Sequence, residues 1–422
     1  MTAPRTIVIG AGIVGVMTAQ ALAARGEKVL VIDRAARPAE LCSHANAGIL
    51  AVGHASAWAG PGAVASILRA LVGREPGVRI TRLFDPRLIA WGLMFLRNCP
   101  ASAHRRNTAK LQRLSTYSRK LLPDIAAQLN LSGQVRLDGG LYLFHDQAQF
   151  RSHAASLGGH GDTDIEVLDR EALLARDPAL ASVSETLAGG FLSPADAVGD
   201  CRQFACDVAA RLATGPDVEF RFEAEVTGFT RHSRRVSGVR IGDETVPVGQ
   251  LILATGAETA ALTRPLGFRP LIYPVKGYSG TWPILKPEAM PKYPFVDETA
   301  LMAVAHYGGR LRVTALAEFA GFDRSLPAQR TNMLQDYVQR AFAGAVDLEK
   351  AEFWTGLRPS TASGAPFLGR VRGFDNLWIN AGHGSLGWTT SAGSAALIAQ
   401  MATGQTPELT SVSSRARWLI PI

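Results

Sequence analysis

Cysteine is scarce in this chain, four in 422 residues. Cys201 and Cys206 have four residues between them, and Cys42 and Cys99 supply no second pair, so zinc-ligand spacing is absent. Paired carboxylates and histidine clusters are also missing, which removes the usual signatures of metal-dependent and glycosidase-type hydrolases; no metal is expected. So few thiols point to a reduced, cytosolic setting. Internal repeats and low-complexity tracts are absent. Long hydrophobic runs are limited to one, the uncharged stretch 7–24. A signal peptide or membrane span there would require cutting or burying a glycine loop in lipid, so the stretch is read as a buried helix of a globular fold. With no other candidate span, a soluble or peripherally bound protein is expected. Apolar residues make up 47% and charged residues 19%, enough for a large core, and the length suggests two or three domains.

What the chain does have is a glycine loop near each end. An apolar strand at residues 5–9 runs into Gly10-Ala-Gly12-Ile13-Val14-Gly15 and then an Ala-rich segment ending at Arg25-Gly26. The first glycine permits the turn, the second lets backbone approach a pyrophosphate, and the third lets helix pack on strand. The helix N-terminus adds N–H groups and a positive dipole. A second strand at 28–32 ends in Asp33, close to the ~20-residue spacing at which an acid accepts a ribose hydroxyl. Near the C-terminus a strand at 376–380 leads to Gly382-His383-Gly384-Ser-Leu-Gly387-Trp388-Thr389 and an Ala-rich helical segment at 391–401. A nicotinamide dinucleotide usually needs one such loop. Two suit a flavin, held by its pyrophosphate at one loop and by its electron-rich ring at the other, where a helix N-terminus stabilises negative charge.

Between the loops, residues 35–62 form a polar, Gly/Ala-rich connection too long to be a plain linker, and its small residues around Asn46 would let backbone lie against a flat ring. Residues 63–131 read as mainly helical, with apolar spacing at Leu111, Leu114, Tyr117, Leu121 and Ile125 and an Asp85 cap before Pro86. Strands at 140–144, 219–222 and 224–226 alternate with helices, and a buried strand from Gln250 ends at Thr255-Gly256. Residues 267–351 are strand-rich, with a Gly308-Gly309 hairpin turn. The expected fold class is α/β, α+β overall: a Rossmann-like dinucleotide domain (1–84, 186–268 and 355–422) interrupted by a mixed-sheet substrate domain with a helical insertion (85–185 and 269–354). The net charge of +8 gathers in 97–119 and 231–235, read as solvated surface or as a contact for acidic lipid headgroups; nucleic acid is not an expected partner.

Taken together, these residues resemble the FAD-dependent amine and amino-acid oxidoreductases related to D-amino-acid oxidase and glycine oxidase, and within them the bacterial D-amino-acid dehydrogenases. The resemblance runs from about residue 5 to residue 404. It rests on Gly10 to Gly15 with Asp33-Arg34, on Ser43-x-Ala-Asn46-Ala47-Gly48, on Trp58-Ala-x-Pro61-Gly62, and on Gly199-Asp-Cys201. It continues in Tyr273-Pro-Val-Lys276-Gly-Tyr278, Trp354-Thr-Gly-Leu-Arg358-Pro and the Gly382 to Thr389 loop. Departures flank the expected pocket: His44 and His54 stand where the family has aromatics, Thr361-Ala-Ser363-Gly replaces Thr-Pro-Asp-Gly, and Tyr307 has no counterpart.

The resemblance implies FAD as cofactor, held without a covalent link by Gly10, Gly12, Ile13, Val14, Gly15, Asp33, Arg34, Ser43, Asn46, Ala47, Gly48, Val226, Thr255, Gly256, Gly382, His383, Gly384, Gly387, Trp388 and Thr389. It implies hydride transfer from an amino acid to the flavin, a step that needs orientation more than acid-base machinery. Arg358 is the expected carboxylate clamp, because a guanidinium binds carboxylate bidentately. Tyr278 and Tyr307 are candidates for hydrogen bonds to the substrate or for plain packing. Lys276 is a candidate for the flavin edge or for exposed surface, and His383 for a backbone or imidazole contact with the ring. The expected activity is oxidative deamination of D-amino acids to 2-oxo acids and ammonia, with electrons passed to a quinone or other acceptor. The expected location is the cytoplasm, with peripheral contact to the inner face of the cell membrane left open. Alternatives are a dehydrogenase for a cyclic or N-substituted amino acid such as D-hydroxyproline, sarcosine or an opine, an RNA-modifying oxidoreductase of the same fold, and an accessory FAD-binding subunit without turnover.

Overall fold

Short runs of Val, Ile, Leu and Phe, apolar on both faces, form parallel strands when helices can cover them. A computed structural model of the chain, describing residues 5–75, 77–157, 165–183, 186–410 and 419–421, shows this arrangement. Strands Val218–Arg221, Val29–Ile32, Arg5–Ile9, Glu244–Leu253 and Leu377–Ala381 lie side by side in that order, all parallel where they pair. Helices Ile13–Ala23 and Gly387–Ala402 are buried almost along their lengths on one face, where Cys201–Ala213 and the long Ala101–Gln128 helix join them. The other face is covered by the antiparallel strands Val226–His232 and Arg235–Ile241. Of the expected apolar positions of the Ala101–Gln128 helix, Leu114 is buried in this core with Tyr117, Leu121 and Ile125 at its edge, and Leu111 is buried against Ala55 and Ala57.

The second sheet is mostly antiparallel. Its order is Glu352–Thr361, Ile272–Pro283, Arg310–Phe319, Met302–Tyr307, Phe295–Asp297, Gly140–Phe144, Gly189–Ser193 and Glu166–Asp169, with Val78–Ile80 added beside Arg310–Phe319. The Gly308-Gly309 turn forms as expected, both glycines at positive φ. So does the Asp85 cap, whose Oδ1 accepts from the Arg87 N–H at 2.9 Å with Pro86 at the first helical position. The expected helical stretch 63–131 is broken by the Val78–Ile80 strand, and the expected strand at 224–226 begins at Val226 and runs on to His232. The last helix starts at Gly387, earlier than composition suggests.

The two expected units interlock. Gly189–Ser193 pairs within the second sheet, while Ala101–Gln128 lies on the Rossmann-side core. A Cβ on Gly393 would stand 3.0 Å from the Leu114 carbonyl oxygen, so the two longest helices touch backbone to backbone there. Of the C-terminal stretch, residues 411–418 and 422 lie outside the described residues.

The first glycine loop is the tightest point. Gly10 has φ +104°, and a Cβ on Gly15 would lie 1.8 Å from the Gly10 carbonyl oxygen. Gly15→Ala therefore forces helix from strand, and thermal unfolding should show a loss of about 1–3 kcal/mol or more. Gly92→Ala, in a helix with open space around that position, should instead gain about 0.5–1 kcal/mol. Equal Tm values for Gly15→Ala and wild type would contradict the packing described.

Candidate functional site

The long 35–62 connection is not slack; hydrogen bonds to both glycine loops tie it down. Asp33 Oδ2 accepts from the Ala11 N–H at 2.6 Å and Oδ1 from the Ala35 N–H at 2.8 Å, so the acid at the end of the second strand braces the first loop. Ser43 Oγ accepts from the Ile13 N–H at 3.1 Å, and Asn46 Oδ1 accepts from the Gly48 N–H at 3.0 Å. From the other loop, Trp388 Nε1–H donates to the Gly48 carbonyl at 3.2 Å and Thr389 Oγ1 accepts from the Ala51 N–H at 3.1 Å. These bonds hold residues 43–51 between the two helix N-termini.

They enclose a cavity of about 990 Å³, the upper end of the range for small-molecule and cofactor sites. Of the residues expected at a cofactor, Gly10, Gly12, Ile13, Val14, Asp33, Arg34, Ser43, Asn46, Ala47, Val226, Thr255, Gly256, Gly382, His383, Gly384, Gly387 and Trp388 line it. Gly15 and Gly48 do not line it but pack on Gly10 and accept from Trp388 respectively, and Thr389 bonds Ala51 of the connection. The residues fit a dinucleotide. A Cβ on Gly12 would meet only Ser43 Oγ at 3.4 Å and one on Gly256 nothing nearer than 3.9 Å, so both glycines open their backbone onto the cavity.

At the far end stands Arg358, on the Glu352–Thr361 strand. Its guanidinium lies flat over Gly277, where a Cβ would come within 2.5 Å of Arg358 Cζ. Nη1–H donates to the Leu316 carbonyl at 2.6 Å. Leu316 has φ +64°, an uncommon conformation for leucine. It falls where the pairing register slips between Lys276↔Glu318 and Tyr278↔Ala315, so a bulge aims that carbonyl at Arg358. Burial pushes the Arg358 pKa down; among the described residues the Cys42 thiol is the acidic group placed to oppose that shift, and no aspartate or glutamate does so. A cation lining a cavity without a carboxylate partner is set to receive one from a ligand.

The remaining candidates are placed differently. Tyr278 lines the cavity, but its hydroxyl donates to Glu318 Oε2 at 2.7 Å, and burial followed by that bond pushes its pKa well up. Lys276 is neither exposed nor on the cavity wall: it is fully buried, with Nζ donating to Asp323 Oδ2 at 2.8 Å and Ser325 Oγ at 3.3 Å. Its bond holds the Asp323 pKa down at about 2. Tyr307 packs edge-on against Gly48 with the Arg312 guanidinium over its ring at 5.3 Å, outside the cavity wall, and its hydroxyl is buried without a hydrogen-bond partner. His383 borders the cavity, but its ring is occupied. Nε2 is 3.0 Å from Asn380 Oδ1 and Nδ1 is 2.9 Å from Thr390 Oγ1. The Asn380 amide nitrogen is in turn committed to Thr18 Oγ1, and the Thr390 hydroxyl donates to the Leu386 carbonyl at 2.7 Å. The His383 side chain is thus a brace between strand and helix rather than a free proton carrier.

Several lining residues carried no signal as single positions. Glu258 pairs with Arg34 at 3.0 Å and with Arg324 at 3.6 Å, joining the first glycine-loop side of the cavity to the 320–327 loop. Cys42, Ser279 and Trp354 line the cavity along with Arg358, and the Ser279 hydroxyl and Trp354 Nε1–H are buried with no partner. Trp354 was legible within the Trp-Thr-Gly-Leu-Arg motif; it stacks on His44 with ring centroids 4.1 Å apart. The others sit far apart in sequence: Ser279 arrives on a strand of the second sheet, Cys42 in the 35–62 connection and Glu258 in the turn that follows the Glu244–Leu253 strand.

Known proteins share this construction. A family model described as FAD dependent oxidoreductase (DAO) matches residues 5–401. A D-amino acid dehydrogenase of Cereibacter sphaeroides (strain ATCC 17029 / ATH 2.4.9) is 39% identical over 96% of this chain and 93% of its own length. D-amino acid dehydrogenase 2 of Mesorhizobium japonicum is 38% identical over 95% of this chain and 97% of its own length. Among solved structures, glycine oxidase from Bacillus cereus superposes with a TM-score of 0.72 at 21% identity, covering 96% of this chain and 99% of that one, a likeness of fold.

Burial lowers the His383 pKa to about 3, from an ordinary 6.5. The unfolded chain then binds the extra proton first as pH falls, so stability is full above about pH 6.5 and declines toward pH 3. Urea unfolding between pH 7 and 4.5 should cost wild type about 2–3 kcal/mol more than His383→Gln. Parallel pH slopes would show that His383 is not held neutral.

Proposed function

The chain belongs to the DAO family of FAD dependent oxidoreductases, and from that premise we propose that it oxidises D-amino acids to 2-oxo acids and ammonia, with electrons passing to a quinone-type acceptor rather than to oxygen. The observation that carries this reading is Arg358, a cavity cation with one N–H committed to Leu316 and, among the described residues, no aspartate or glutamate to balance it. An amino-acid carboxylate meets that need with two parallel charge-assisted bonds. The choice of a D-amino acid draws on relatives of that name at 39% and 38% identity. The acceptor is proposed from the likeness of Trp58 to Gly62 and Lys276 to Tyr278 to the dehydrogenase branch.

FAD, when bound, supplies the two-electron acceptor for the substrate Cα–H bond. Gly12, Ile13, Val14 and Ser43 would hold its phosphates at the first helix N-terminus, Asp33 its ribose, and the Gly382 to Gly387 loop its ring. Arg358 fixes the carboxylate, and with it the Cα, while the Leu316 carbonyl keeps the guanidinium from swinging. Tyr278, held by Glu318, forms wall rather than an acid or base. The 320–327 loop closes the outer side: Asp323 is pinned to Lys276, and Arg324 and Leu326 reach the cavity, which limits water there. The substrate ammonium gives up one proton before hydride leaves Cα, and water serves as the acceptor of that proton.

Arg358→Ala would leave a desolvated carboxylate without its partner, a loss of ~3–5 kcal/mol by analogy with broken buried pairs. At 1.36 kcal/mol per tenfold, kcat/KM should fall about two to four orders of magnitude. Arg358→Lys should restore part of this, since a point charge cannot reproduce the planar fork. Anaerobic reduction should be compared for an amino acid and for the amine lacking its carboxylate. An equal fractional loss on both in Arg358→Ala would move the substrate site elsewhere.

A further inference from the structure

Two short helices turn their apolar residues toward solvent. In Ala63–Leu71, Val64, Leu68 and Leu71 follow the spacing of a single helix face, and all three are exposed while only Ala70 of that helix is buried. In Pro86–Asn98 the same spacing exposes Ile89, Leu93 and Leu96, away from the buried Trp91 and Phe95. Between the helices Leu83 and Phe84 stand clear, Phe84 91% exposed. Of fifteen large apolar side chains exposed among the described residues, ten lie between Trp58 and Leu96. A single cluster of this kind on a surface marks a binding face rather than scattered exposure.

Charge is concentrated in this stretch and the helix that follows it. Residues 58–113 hold ten Arg and Lys against Glu75 and Asp85; the whole chain has 44 against 36, so the other 34 basic and 34 acidic residues cancel. The net +8 of the protein therefore belongs to this stretch. Its two acids are already engaged, Glu75 with Arg69 and Asp85 as a helix cap. Behind the apolar face, a pocket of about 30 Å³ bordered by Trp58, Trp91, Phe95 and Leu386 shares His383, Gly384 and Ser385 with the large cavity. The exposed face thus backs directly onto the second glycine loop.

We propose that the Trp58–Leu96 surface docks onto an anionic lipid bilayer, its aliphatic and aromatic side chains entering the headgroup boundary and its arginines meeting lipid phosphates. Apolar faces with a basic surround suit that medium: a neutral apolar partner would leave the arginines facing nothing of opposite charge. This rests on the quinone-type acceptor reading above and adds where the protein meets the membrane: the docked face places the ring end of the cavity next to the layer in which an apolar acceptor dissolves.

The test is sedimentation of the FAD-loaded protein with phosphatidylcholine vesicles, with and without phosphatidylglycerol, at low and high salt. Wild type should bind the anionic vesicles and release as salt rises. Removing three charges with Arg82→Gln, Arg87→Gln and Arg97→Gln should weaken binding about a hundredfold, at roughly fivefold per arginine. Phe84→Asp with Leu93→Asp should abolish it. Both variants should keep wild-type flavin reduction by an amino acid in solution, which shows that they fold. Vesicle binding by a protein that no amino acid reduces would support the surface and defeat the substrate reading. Wild type that ignores anionic vesicles, or variants that bind them as wild type does, would overturn the proposal. So would a concentration-dependent dimer that Phe84→Asp disrupts in a protein that binds no vesicles.

Discussion

The arrangement of the active half depends on holding one guanidinium in a cavity without neutralising it. A buried cation normally acquires an acidic neighbour, because desolvation costs several kcal/mol. Here Arg358, its pKa pushed down by burial, receives a backbone carbonyl instead, from a residue bent into a left-handed conformation at a bulge. That substitution leaves the rest of the fork free. It also explains two neighbours: Gly277, where any side chain would strike the guanidinium, and Tyr278, whose hydroxyl is drawn off to Glu318. The strain at Leu316, of order 1–3 kcal/mol, is offset by the two long strands that pair with Ile272–Pro283 on either side.

The opposite side of the cavity rests on hydrogen bonds between parts of the chain far apart in sequence. Ser43, Asn46, Trp388 and Thr389 fix the 43–51 connection between two helix N-termini, and His383 and Asn380 lock the second loop to the first helix through Thr18. Helix dipoles then face the cavity from both ends. The Glu258 pairs with Arg34 and Arg324 join this framework to the 320–327 loop. One continuous scaffold therefore sets the distance between the two glycine loops and the Arg358 guanidinium, and packed helices and sheets determine it.

Much of this is legible in the sequence. Strand, glycines, helix and acid in order predicted Arg5–Ile9 through Asp33, because the backbone geometry demands those residues at those spacings. The Gly308-Gly309 turn and the Asp85 cap were legible for the same local reason. What could not be read was which way long side chains turn. Lys276 and Tyr278 lie on one strand beside Arg358, yet Asp323 and Glu318, residues from another strand and its following loop, take both of their polar ends. Tyr307 is carried behind Gly48 by the same pairing. His383 carried an expected role because of its motif, and only its contacts with Asn380 and Thr390 show it as a brace. Leu316 had no signal at all, since a bulge appears only when two strands are in register.

The central claim is that Arg358 waits for a carboxylate. It is tested most directly by binding without turnover: titrate the FAD-loaded protein anaerobically with a short 2-oxo acid and with the corresponding 2-oxo amide, following the flavin absorbance. The acid should bind at least about a hundredfold more tightly than the amide, equivalent to ~2.7 kcal/mol, and Arg358→Gln should erase the difference while leaving the FAD spectrum in place. Equal affinities for acid and amide in the wild-type protein would contradict the account.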